Sequence, residues 1–249
     1  MSSAVGAAAI SAIVGLGWLV SVLWSGYPRI GRRARRRYAA IAIGCAAIAW
    51  TAYWRDHAFW PSTNPGLAPV ALTVALGAWA WVAAEREAAY RSLSLGAAVS
   101  LMTGGALAVL GRSFGPPVGA SRGWFLASEA ILALASGSLL SSAVLARSVP
   151  GDGQSLSPDA PLHVALALGV GSLMAYGIGA QRALGTAWPG SPSMSHRVAA
   201  VLVMALLVVG GKRRSRATRL LGGLFCLVVL FGSSALSAWL QPAVTVIYP

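Results

Sequence analysis

The 249-residue chain is 57% hydrophobic and 10% charged, with a mean hydropathy of +0.69; soluble domains carry about 25% charged residues, so the composition excludes an ordinary soluble domain. The formal net charge of +13, from 19 Lys and Arg against 6 Asp and Glu, would suggest nucleic acid in a soluble protein. Here the arginines sit in turns between apolar runs, where they hold spans in the bilayer, so lipid is the expected partner and nucleic acid is not.

A membrane span needs roughly 20 apolar residues. In chain order the runs are Ala4–Trp24, Tyr38–Trp54, Leu67–Ala84, Ser92–Gly111, Trp124–Ala146, Leu162–Ala180, Val198–Gly211 and Leu220–Leu240. The third and seventh are short, with room to extend at their ends. None shows the dyad alternation of a barrel strand, and lipid satisfies no backbone polar group, so the expected fold is an all-α integral membrane protein: one polytopic domain of about eight transmembrane helices, residues 1–249. The start, MSSAVGAAAI, lacks a positively charged region before its apolar run and reads as a retained span and not as a cleaved leader.

Orientation follows from the basic residues. The turns after the first, third, fifth and seventh runs hold fourteen of the 19, chiefly Arg29, Arg32, Arg33 and Arg35 to Arg37, then Lys212, Arg213, Arg214, Arg216 and Arg219. The alternate turns hold Arg55, Arg112, Arg122, Arg182 and Arg197. The richer set is expected in the cytoplasm, with both termini on the outer, periplasmic side of the cytoplasmic membrane. Trp24, Trp54, Trp60, Trp124, Trp188 and Trp239 stand at or just beyond run ends, as an interfacial belt requires.

Two stripes of small residues, Gly96, Ser100, Gly104 and Ala108, then Gly171, Ala175 and Gly179, allow close helix packing within a bundle or between copies; the bundle is preferred. The longest polar stretches are 147–161 inside and 181–197 outside. Cys45 and Cys226 lie in apolar runs with no CxxC spacing, which argues for neither a disulfide framework nor a metal motif.

Few residues carry chemistry. His57 and His196 fall on the outer face, where two imidazoles could ligate one haem, and Trp188 shares the second outer loop with His196. These three are the candidate haem-side residues, His57 and His196 being the candidate metal ligands. Solvated loop histidines are the plainer alternative. His163 opens the sixth run on the inner side with nothing to pair it. Glu129 is the one acid inside a predicted span, a functional candidate by the cost of burying charge, although it lies near the outer end, within reach of water, Arg122 or Arg112. No GxSxG, HExxH or P-loop occurs, and no carboxylate pair is available for acid–base work, so intrinsic catalysis is not expected. No broken pair of spans recurs in two halves, which argues against solute transport.

The run His57–Ala97 has Pro61 and Asn64 in an outer loop, Trp79 and Trp81 in a span, an acidic–basic turn at 85–91 and a Leu95-Gly96 span start. With the segment Ser121–Ala135 and the stretch ALGTAWP followed by a span, a basic turn and LLGGLFCLVVLFG, it resembles the CcsA/ResC-type membrane proteins of cytochrome c assembly, collinearly over most of the chain. The resemblance implies haem handling at the outer face. The residues depart from it where that family binds haem: Trp188 is followed by Pro189-Gly190-Ser191 in place of a tryptophan-rich cradle, and the family's histidines correspond to Ser128, to the neighbourhood of Val209-Gly210 and to that of Gln241-Pro242. The expected function is accordingly a divergent, non-catalytic subunit of a larger membrane electron-transfer complex with cytochrome-containing partners, the alternative being a haem-presenting component of cytochrome c maturation. The topology is open to direct measurement. In a Ser191→Cys variant, a membrane-impermeant thiol reagent is expected to label from the outside; labelling only after the cytoplasmic side is opened would reverse the scheme.

Overall fold

The structure is a computed structural model that describes residues 3–23, 31–56, 67–110, 122–146, 157, 159–188, 192–210 and 215–229. All its regular elements there are helical: α1 (Ser3–Leu23), α2 (Arg32–Asp56), α3 (Leu67–Val82), α4 (Glu87–Leu110), α5 (Arg122–Leu145), α6 (Ala160–Leu184), α7 (Pro192–Gly210) and α8 (residues 216–229). Three stretches are long and apolar enough to cross a membrane, Ala68–Glu85, Gly123–Leu145 and Ala160–Leu184, and Ala9–Val20 and Met194–Gly210 are shorter apolar stretches. Over the described residues the chain is an all-helical bundle of membrane-protein character.

The helices start earlier than apolarity alone marks. α2 takes in its arginines from Arg32, α4 starts at Glu87 and α7 at Pro192, because arginine and glutamate are good helix formers and proline is favoured in the first turn. The seventh run, short in sequence, is thereby lengthened by six residues, and the polar loop expected over 181–197 shrinks. α6 already covers Gln181 to Leu184 and ends on Gly185, whose φ of +72° is the left-handed geometry glycine tolerates best. Its N–H donates to the Gln181 carbonyl at 3.1 Å.

Helix α3 lies at the centre, packed against α2, α4 and α5, while α1 packs chiefly on α4, and α5 packs chiefly on α6. α3 and α4 form a tight hairpin. A single 3₁₀ turn, Ala83–Glu85, follows α3, and Arg86 in extended geometry breaks the helix before α4 begins. Thr73 ties the two together near mid-helix, its hydroxyl lying 3.0 Å from the Pro69 carbonyl and 3.3 Å from that of Ala97. From α3 to α5, the Trp79 indole N–H donates to Ser138 Oγ at 3.1 Å.

Small residues set these distances. A methyl on Gly179 would stand 3.1 Å from Trp124 Cβ and one on Gly96 3.3 Å from Leu76, so these two glycines face neighbours inside the bundle. Among the described glycines the closest approach to another helix's backbone is α1 on α4, where a Cβ at Gly15 would meet the Met102 backbone nitrogen at 2.8 Å and the Ala98 carbonyl at 3.1 Å; Gly17, on the same helix, has open space. Replacing glycine by alanine gains up to about 1 kcal/mol of helix propensity at either site, but at Gly15 the methyl meets backbone that has little room to yield. Gly15→Ala is therefore expected to be less stable than Gly17→Ala by about 1–3 kcal/mol, read as a lower thermal midpoint in detergent; equal midpoints would contradict this packing.

Candidate functional site

The bundle has two charged ends. At one, α2 begins beside the α3–α4 hairpin. Arg35 donates to the Ala84 carbonyl at 3.3 Å and pairs with Glu87 at 3.3 Å, and the Tyr90 hydroxyl donates to the Arg35 carbonyl at 3.0 Å. Arg36 stacks over the Trp81 ring at 4.9 Å and faces Glu85 at 3.9 Å. At the start of α8, Arg219 reaches Asp159, the residue before α6, at 2.7 Å. His163 is exposed in the first turn of α6, its Nδ1 2.7 Å from the Asp159 carbonyl.

At the opposite end stands the best-built cluster. Met194, Arg197, Ala200, Met204 and Leu207 form the buried stripe of α7, so Arg197 points into the bundle with 2% of its side chain exposed. Its Nη2 pairs with Glu129 in the second turn of α5, and its Nε donates to Ser128 Oγ at 3.0 Å. The guanidinium lies 4.4 Å from the centroid of the Tyr176 ring on α6, and Tyr176 meets Phe125 edge-on at 5.0 Å.

Beneath the arginine, Ser128 and Ser172 are fully buried and exchange bonds: each hydroxyl lies 2.8 Å from the other residue's carbonyl, and the two oxygens are 3.1 Å apart. A cation, an anion, two hydroxyls and an aromatic face thus join three helices. Burial of an isolated ion is expensive; here the positive charge has a carboxylate, a hydroxyl and a ring, which makes the ensemble neutral and strongly directional.

The structure gives Glu129 a partner in Arg197, because α7 begins early enough to carry position 197 inward. The side chains of Arg112 and Arg122 lie outside the described residues. His196 precedes the buried arginine; it is half-buried, and its Nδ1 is enclosed without a hydrogen-bond partner. Trp188 belongs to the exposed segment after α6, 62% exposed, with its backbone N–H donating to Thr186 Oγ1 at 3.2 Å. The structure thus brings Glu129 beside the residue next to His196, leaves Trp188 at the surface, and places His163 at the other end. His57 lies outside the described residues. Among the described residues no group of three or more His, Cys, Asp or Glu side chains comes together as a metal site.

No motif in the sequence alone marks Arg197, Ser128, Ser172 or Tyr176 as functional. One signal was present: Arg197 falls in phase with the apolar stripe of its helix, at i+3, i+7 and i+10 from Ala200, Met204 and Leu207. The cluster does not suit haem ligation at position 128, because the Ser128 hydroxyl is already engaged by Arg197 and Ser172. No protein-family model, curated protein or solved structure matches the chain.

Removing one partner of a buried pair strands the other charge, at a cost of about 3–5 kcal/mol, whereas replacing both by apolar groups is often neutral. Arg197→Met is expected to lower the thermal midpoint sharply, and the double variant Arg197→Met/Glu129→Leu to recover most of the loss. A double variant as unstable as the single would show that the pair does not act as a unit.

Proposed function

We propose that this chain is a non-catalytic, multi-pass subunit of a larger membrane complex, a divergent relative of the cytochrome c assembly proteins it resembles, held in the cytoplasmic membrane by about eight spans with both termini outside. The observation that carries this reading is the Arg197–Glu129–Ser128–Ser172 cluster. It stands at the position that corresponds to an outer haem histidine, and there its groups bind one another. The other acids whose side chains are described, Glu85, Glu87 and Asp159, are likewise engaged by arginines across helices. Charge in this bundle is thus organised to fix helices relative to one another.

The outer surfaces suit a subunit embedded in lipid and among neighbours. Ile10, Ile13, Leu16, Val20 and Leu23 project from α1, and Leu202, Leu206 and Val209 from α7. On this reading, electron-transfer or cytochrome-bearing subunits are the partners, and the chain contributes position and not chemistry.

Haem presentation at the outer face is the second reading. It is favoured by the enclosed, unpartnered Nδ1 of His196 and by the exposed Trp188 in the segment before α7. With Ser128 engaged, such a protein would depend on His57 and His196 for axial ligands. The two readings separate in one preparation. The subunit reading expects the detergent-purified protein to be colourless and to co-purify at fixed stoichiometry with cytochrome-bearing subunits. A Soret band intrinsic to this chain that disappears in a His57→Ala/His196→Ala variant would replace it with haem handling.

A further inference from the structure

Helix α2 carries arginines on two opposite faces, and they have different fates. Arg35, Ala39, Ala42 and Ala46 make the buried face, and Arg35 is engaged by Glu87 and Ala84. Arg33, Arg37, Ala40, Ile41, Ala47 and Ile48 fall on the opposite side and are all exposed, Ile41 to 57% and Ile48 to 67%. At 100° per residue these six positions span about a third of the helix circumference. Gly44 lies amid them, with open space where a Cβ would stand. Neither Arg33 nor Arg37 has an acidic partner among the described residues, because Glu85 and Glu87 face Arg36 and Arg35.

The outward face of α2 is therefore an apolar strip with a shallow groove at Ala40, Gly44 and Ala47, headed by two guanidiniums one helical turn apart. A soluble anion would match only its head and an apolar helix only its strip. We infer that this face binds an anionic phospholipid, with the phosphate between Arg33 and Arg37 and an acyl chain along Ile41, Gly44 and Ile48. Arginine forks match phosphate oxygens geometrically as well as by charge. The half-exposed Tyr38 flanks the head, where an amphipathic ring belongs at an interface. The inference is independent of whether the protein handles haem, since it concerns the other end of the bundle.

Native mass spectrometry of the full chain from detergent tests it, with phosphatidylglycerol or phosphatidylcholine added in equal amounts. The unmodified protein is expected to retain phosphatidylglycerol preferentially. Near-surface basic residues contribute a factor of about 5 each to anionic-lipid binding, so Arg33→Gln/Arg37→Gln should lose roughly 30-fold in affinity. Arg216→Gln, at an exposed arginine opening α8, should lose much less, and Arg33→Lys/Arg37→Lys, which keeps the charge but not the fork, should lose an intermediate amount. Equal retention of the two lipids by the unmodified protein would overturn the inference without recourse to any variant. So would a loss in Arg216→Gln as large as in the double glutamine variant. Capture of an acidic protein subunit in place of lipid, lost in Arg33→Gln/Arg37→Gln, would assign the face to a protein partner instead.

Discussion

Three buried arginines among the described residues govern this bundle. Arg35, Arg197 and Arg219 each stand in the first or second turn of a helix, and each meets a carboxylate from elsewhere in the chain. A cation at a helix N-terminus is unfavourable against the helix dipole, and a buried one without a partner is worse. The acids offset both penalties at once. Because each pair joins elements distant in sequence, a helix that shifts by one turn would strand two charges and not merely slide over a neighbour. In a bundle where lipid supplies little drive for one apolar face to prefer another, such pairs select one arrangement from many of similar packing energy.

The small residues act through the same constraint. Salt bridges and hydroxyl bonds between helices need short separations, and those are available only where side chains are absent. Gly179 lets α6 close onto Trp124 and Phe125, which brings Tyr176 beside Phe125 and under the Arg197 guanidinium. The reciprocal bonds of Ser128 and Ser172 hold the same interface at backbone distance. Glycine stripes and polar clusters on α5 and α6 are therefore one device, the first making the approach and the second fixing its register.

The helices were legible because membrane apolarity is a strong and local signal. Each apolar run coincides with a helix where it is described, and the missed boundaries at Arg32, Glu87 and Pro192 share one cause: hydropathy marks where a helix meets lipid, not where it begins. The difference changes the standing of Arg197. With α7 started at Val198, Arg197 is a loop charge to be counted for topology. Started at Pro192, the same residue joins the inward stripe with Ala200 and Met204. Glu129 was legible as an acid inside a span because that span is long and apolar, but its partner lies 68 positions away, a separation at which periodicity gives no guidance.

Position 128 demands a small side chain. Ser128 is fully buried between the Ser172 carbonyl and Arg197, and a space that fits one hydroxyl does not fit an imidazole without moving both. The serine hydroxyl supplies the acceptor for the Arg197 Nε, and its small volume leaves room for the guanidinium over the Tyr176 ring, so one short side chain permits the three-helix clamp.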